Sequence, residues 1–175
     1  MIKDIPENKV KDIAIAVALE KESAESKIWY VYLINLKNEP IENVLITSRG
    51  YGEKDGENVK TSTLRHMFPI VEKGSYKLIE PIDEQTFGLN NEYWLSYYIG
   101  KDIYDKKFIF LPESIVEMNF TRLPVVNKVG VMIRWGPTIN QRDSIQTIFK
   151  STNTKLYFGA TWFCVTSWKS LCTSW

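Results

Sequence analysis

From residue 11 onward the chain is written in short apolar runs with a period of two. In DIAIAVALE, Ile13, Ile15, Val17 and Leu19 alternate with Ala14, Ala16 and Ala18, which predicts a strand with one bulky and one small face. Alanine and leucine also favour helix, but the strict alternation of β-branched residues decides for strand. A charged connector, EKESAESK, follows. The next apolar segment, 28–36, sets Trp29, Val31 and Leu33 on one face and Tyr30, Tyr32 and Ile34 on the other, the pattern of a central strand covered by more than water. A loop built on Asn38, Glu39 and Pro40 joins it to 44–49, where Val44 and Ile46 oppose Leu45 and Thr47. These two strands form the pair around which the remainder is expected to pack.

Beyond Arg49, SRGYGEKDGEN holds three glycines with Asp55 and Asn58 and predicts a long turn. Residues 59–67, VKTSTLRHM, read as one polar strand with Thr61, Thr63 and Arg65 on one face and Ser62, Leu64 and His66 on the other. Their β propensity is high and their apolar content low, so at least one face meets solvent or lines a groove. A turn around Gly74 leads to 76–82, which stops at Pro81 and suits a sheet edge. Two strong strands, 92–100 and 106–111, are joined by a hairpin loop at Gly100, Lys101 and Asp102. Segments 115–120 and 125–133 are weaker, the second broken by Asn127 and Gly130. About seven to nine short strands with no helix-periodic segment between them predict an all-β fold, an antiparallel β-sandwich of immunoglobulin or fibronectin type III kind, lacking the cysteine pair of antibody domains.

Composition narrows the setting. With 44% hydrophobic and 25% charged residues the chain has ample apolar surface to offset ordering entropy. The formal net charge of +1 gives no reason to expect nucleic acid or an anionic membrane as partner. The start, MIKDIPENKVKD, lacks the apolar run of a secretory signal, and no stretch approaches the roughly 20 apolar residues of a membrane span. A cytoplasmic location is the expectation. Residues 1–9 read as a flexible lead-in and 10–134 as the sandwich domain.

The segment 135–175 is compositionally different. It holds four of the six tryptophans, both cysteines (Cys164 and Cys172) and a dozen Ser or Thr, with Asp143 its only acid; residues 1–134 carry 18 basic and 20 acidic side chains, this tail four and one. LYFGATWFCVTSW (156–168) would be an aggregation-prone β segment if exposed. Three readings compete: a hairpin added to the sandwich, a partner-binding or membrane-touching extension, or a frameshift or read-through stretch never selected to fold. The abrupt onset and the lack of acids favour the last.

Candidate chemistry is sparse. His66 is the single histidine. On an ideal strand Ser62 points to the same face but lies about 13 Å away at about 3.3 Å per residue, too far for a nucleophile and its base. The spacing of the two cysteines matches no zinc or redox motif. Asp55 and Glu57 do not match a calcium loop, and SRGYGEKDG lacks the lysine and helix of a phosphate loop. No cofactor, metal or catalytic residue is therefore assigned. The best ligand-binding candidates are Thr61, Thr63, Arg65 and His66 of the polar strand with Arg49 and Tyr51 beside them, because guanidinium forks and hydroxyls suit carboxylate or phosphate.

The runs VYLINLKNEPIENVLITSRGY, KTSTLRH, LNNEYWLSYYIGKDIYDKKFIF and PVVNKVGVMIR resemble a family of short uncharacterised bacterial proteins, about as long as residues 1–134. Some of these carry the label phenylalanyl-tRNA synthetase alpha subunit. A synthetase core is much longer and needs arginine-bearing ATP motifs, neither of which stands in this sequence. The resemblance ends at Trp135 and implies no catalytic residues. The expected function is a non-enzymatic protein- or peptide-binding module, acting through its polar face or an open sheet edge. The alternative is a small enzyme or anionic-ligand binder using Arg65 and His66 with Arg49 in a groove. RNA binding by exposed aromatic rings is a weaker third, since no basic stripe accompanies them.

Overall fold

Strand β1 (Ile13–Glu22) buries both of its faces, and the two are buried differently. Ile13, Ile15 and Val17 enter the main core, while Ala14, Ala16 and Ala18 lie under a second, smaller cluster with Leu123 and Val126. The computed structural model describes residues 9–22, 27–54 and 56–135. Within them the chain is an all-β sandwich of two antiparallel sheets.

The first sheet has the order β6-β2-β1-β10-β9, made of β6 (Ser75–Ile82), β2 (Lys27–Asn35), β1, β10 (Val129–Trp135) and the two-residue β9 (Thr121–Arg122). The second is built on the 14-residue β3 (Ile41–Lys54). Along one side of β3 run β4 (Glu57–Lys60) and β5 (Leu64–Val71), and along the other β7 (Asn90–Ile99) and then β8 (Asp102–Phe110). The core between the sheets takes Trp29, Val31 and Leu33 from the first and Val44, Ile46, Tyr93, Leu95, Tyr97, Phe108 and Phe110 from the second. These are the positions that period-two alternation turns inward.

Several expectations change. Strands 28–36 and 44–49 exist, but they are not neighbours. β2 pairs with β1 and β6, and β3 with β4, β5 and β7, so the two face each other across the core. Asn35, wholly buried, organises this crossover. Its amide reaches the carbonyls of Glu39 (3.0 Å), Val71 (3.2 Å) and Glu72 (3.0 Å), and its Oδ1 accepts the Lys37 N–H at 3.0 Å. The turn expected after Arg49 is shorter than its glycines suggest, because β3 continues to Lys54. Gly50 is there for close approach: a Cβ would lie 2.8 Å from Thr61 Cγ2.

The polar strand 59–67 is two strands. Residues 61–63 bend between β4 and β5, where Thr61 Oγ1 accepts the Gly50 N–H at 2.7 Å. Segment 115–120 is not a strand but ends in a 3-10 turn at Glu117–Asn119. The strand expected at 125–133 starts only at Val129, since Val125 and Asn127 hold φ of 66° and 57° in the preceding turn. A second 3-10 turn, Glu84–Thr86, is capped by Asp83. Phe87 and Phe120, each following one of these turns, stand edge-on to Trp29 at 5.4 and 5.6 Å and close one end of the core. β10 includes Trp135, in register with Ile13. The readings of residues 1–8 and of 136–175, Cys164 and Cys172 included, lie outside the described residues.

Candidate functional site

The six residues singled out from the sequence fall in two places. The first is a cleft of about 290 Å³ at the seam where β3 and the 61–63 bend face β6, lined among others by Ser48, Thr61, Ser62, Glu80, Asp83 and Tyr93. Its centre is Glu80, a carboxylate only 11% exposed. Oε2 of Glu80 accepts Ser48 Oγ at 3.0 Å and stands 2.7 Å from His66 Nε2, and the Tyr93 hydroxyl bonds the same carboxylate. Burial, with Glu80 adding to it, pushes the Tyr93 phenol well up. His66 is therefore at the seam, on the inner side of β5 in register with Ile46. Ser48 donates to the carboxylate and not to the imidazole, so His66 is not placed to take the serine's proton. The cluster ties edge strand β6 of one sheet to β5 of the other. Thr61 contributes its main chain and hydroxyl to the local bend: its N–H meets the Gly50 carbonyl at 2.9 Å and its Oγ1 donates to Ser62 O at 3.0 Å. Thr63 is exposed in the same bend.

The second place is the outer face of the second sheet. Strand alternation sends Arg65 there, opposite to His66, in register with Thr47. Arg65 and His66 are sequence neighbours that do not converge. Arg49 and Tyr51 are on this outer face too, and both are engaged by Glu92. Arg49 Nε and Nη2 donate to Glu92 Oε1 at 3.0 and 2.8 Å, Tyr51 Oη donates to Oε2 at 3.4 Å, and Lys107 Nζ lies 3.4 Å from Oε2. The Arg49 guanidinium also covers the Tyr51 ring at 5.6 Å. Two cations and a phenol hold this carboxylate, which is 4% exposed, so its burial is compensated.

Beyond this charged end the outer face turns apolar. Leu45 (42% exposed), Met67 (69%), Trp94 (48%), Tyr98 (39%) and Ile103 (52%) come from four adjacent strands. The registers Thr47↔Trp94↔Lys107 and Leu45↔Ser96↔Asp105 lay them out in rows, with Met67 beside Leu45 and Ile103 beside Tyr98. Lys107 Nζ lies 5.0 Å over the Trp94 ring. Single exposed apolar side chains are ordinary, but a contiguous set on one flat face marks an interaction surface. Glu92, Trp94 and Lys107 were not singled out by sequence reading. For Trp94 a signal existed, because it alternates with buried Leu95 in a strand whose other face is already the core.

The sheet edges are closed to further strands by other residues. β5 carries Pro69 and β6 carries Pro81, which have no N–H to offer a further strand. On the opposite side β8 turns Lys106 inward, in register with buried Leu95, and its Nζ sits 3.6 Å over the Trp135 ring. Inward charges of this kind blunt a sheet edge. Among the described residues no group of three His, Cys, Asp or Glu side chains is placed to hold a metal ion, and no helix is long and apolar enough to cross a membrane.

The fold thus defines the class: a β-sandwich with a polar seam and one outer face that the described residues leave uncovered. No protein-family model matches the chain, and no curated protein matches it. Among solved structures it is similar to the sporulation control protein Spo0M from Bacillus subtilis, at 11% identity and a TM-score of 0.27, over 58% of this chain and 49% of that one. The chain thus spans about half the length of that protein. At this level the likeness carries nothing about activity or partner.

Proposed function

We propose that this chain is a non-enzymatic binding module of immunoglobulin kind that takes a protein or peptide partner on the outer face of its second sheet. The observation that carries the reading is the exposed set Leu45, Met67, Trp94, Tyr98 and Ile103 on one flat surface, with Arg49, Tyr51, Arg65 and Lys107 at one end. An aromatic and an arginine beside an apolar centre are the residue types in which interface energy concentrates. Strand order supports the immunoglobulin kinship: β6-β2-β1 on one side and β5-β3-β7-β8 on the other, with crossovers between the sheets at β2–β3 and β5–β6. The blunted edges favour the face over strand addition as the binding mode. The reading as an enzyme or anionic-ligand binder through Arg65 and His66 has less support, since the two side chains leave β5 on opposite sides.

Affinity capture from cell extract tests this, with three baits: wild type, Met67→Asp with Trp94→Lys, and His66→Ala. The reading expects the face variant to lose the partner and His66→Ala to keep it. A partner lost with His66→Ala and retained by the face variant would move the site to the seam.

A further inference from the structure

We infer that the partner for which the outer face of the second sheet is built is a second copy of this chain, packed face to face about a two-fold axis. This rests on the reading of that face as the binding surface and names its occupant. The observation is the distribution of charge along the strands. At one end stand Arg49, Lys107 and Arg65 around the single carboxylate of Glu92; at the other stand Asp105, in the row of Leu45 and Ser96, and Glu42, in register with Tyr98. Arg65, Asp105 and Glu42 have no ion-pair partner among the described residues. Along the strands the basic side chains occupy the Arg49 and Thr47 rows and the acidic ones the Leu45 and Tyr98 rows, with the apolar side chains interspersed.

Such a surface is complementary to itself under one operation. A two-fold axis lying in the interface, perpendicular to the strands and between the Thr47–Trp94 and Leu45–Ser96 rows, lays each strand over the same strand of the other copy with its direction reversed. Basic rows then meet acidic rows: Lys107 faces Asp105 and Arg49 faces Glu42, each twice, and the large Trp94 comes over the small Ser96. A two-fold axis parallel to the strands would bring Arg65 toward Lys107 and is disfavoured by like-charge repulsion. Closed two-fold contact of one patch with itself is the commonest route to a homodimer, and sheets stacked face to face at about 10 Å interdigitate side chains of this size. Four strands about 4.8 Å apart and the four rows that the axis pairs, about 6.7 Å apart, give a footprint near 500 Å² per copy, hence roughly 1,000 Å² for both. That lies at the lower bound of a specific interface and implies association in about the micromolar range.

Sedimentation velocity of the full chain from about 1 to about 200 µM tests the inference. The mass is expected to rise from one chain toward two. Met67→Lys, whose added charge comes over Arg65 of the other copy, abolishes the rise. Asp105→Lys and Lys107→Asp each weaken it at least about tenfold, with thermal melts verifying that both variants fold. An equimolar mixture of those two variants restores association, because each copy then offers the charge the other lacks. A chain that stays monomeric throughout, association indifferent to Met67→Lys, or a mixture no better than its components would overturn the second copy as occupant. A monomer that still captures another protein through Met67 and Trp94 overturns this inference and leaves the binding reading standing; variants that change neither association nor capture remove both.

Discussion

The outer faces of the two sheets solve the same problem in opposite ways. On the first sheet the outward positions of β1 are Ala14, Ala16 and Ala18, fully buried because Leu123 and Val126 from the turn before β10 lie over them with Tyr32 and Ile34 beside. Gly130 comes so close to Ala18 that a Cβ there would overlap the Val17 carbonyl oxygen. A lock of Glu20, Lys128 and Tyr32 holds this roof at its margin, with Tyr32 Oη donating to Glu20 at 2.9 Å and Lys128 Nζ bonding both. On the second sheet Leu45, Met67, Trp94 and Tyr98 are outward positions that are large and exposed, and no described segment of the chain covers them. Small residues facing outward in a strand go with a cover that the chain brings itself; large ones that the described residues leave uncovered are what the proposed second copy would cover.

The contrast breaks most sharply at Gly130. Gly130→Ala forces backbone apart and is expected to cost about 3 kcal/mol or more; an unchanged melting temperature would contradict the close approach of β10 to β1. Next in size is a matched pair of leucines. Leu123→Ala empties a fully buried site and should cost about 2–4 kcal/mol in chemical denaturation. Leu45→Ala on the bare face should cost less than about 1 kcal/mol, because the side chain is 42% exposed and leaves little cavity. Equal losses at the two positions would mean that both faces are covered alike.

The smallest effect is electrostatic. The hydrogen bond from Lys128, aided by Tyr32, lowers the Glu20 carboxyl below its ordinary value, and the same bond to Glu20 raises Lys128. A lowered carboxyl stabilises the fold above its unfolded value, and that contribution is lost as pH falls through the lowered folded value. A raised lysine contributes below its unfolded value and loses that contribution as pH rises through the raised one. The lock therefore contributes fully between about pH 5 and 10, by no more than about 1 kcal/mol at so exposed a site. Stability of Glu20→Gln against wild type should differ across that plateau and converge in acid; a constant offset down to strongly acidic pH would remove the lock from the account.

Much of this was legible in the sequence, and the losses have identifiable causes. Period two was enough to separate the bulky from the small face in 13–19 and to name 92–100 and 106–111 as strands, because alternation is a local property. Which strands become neighbours is not local. Asn35 sends β2 and β3 to different sheets through contacts 36 and 37 residues away, and nothing near it in sequence announces that. Glycines 50 and 52 read as a turn, yet they sit inside β3 because Thr61 and Leu89 press against them. The polar segment 59–67 has continuous β propensity, so its bend at Thr61 left no trace in composition. At the site, Arg49 and Tyr51 were found by type, whereas Glu92, the carboxylate that engages both, is hidden in an aromatic strand. That Arg65 and His66 leave opposite faces was already implied by their adjacency; the alternative built on both had set that aside.

Methionine oxidation follows the bare face most directly, since the chain carries its own controls. Met67 stands on that face at 69% exposure, Met118 is 74% exposed at the 3-10 turn before β9, and Met132 belongs to the roofed face. Hydroxyl-radical footprinting of the full chain, dilute and concentrated, should show Met67 reacting as readily as Met118 at the lowest concentration and becoming protected as concentration rises, while Met118 and Met132 keep their rates. A Met67 rate that tracks Met118 at every concentration would contradict the claim that this face is made to be covered by another copy.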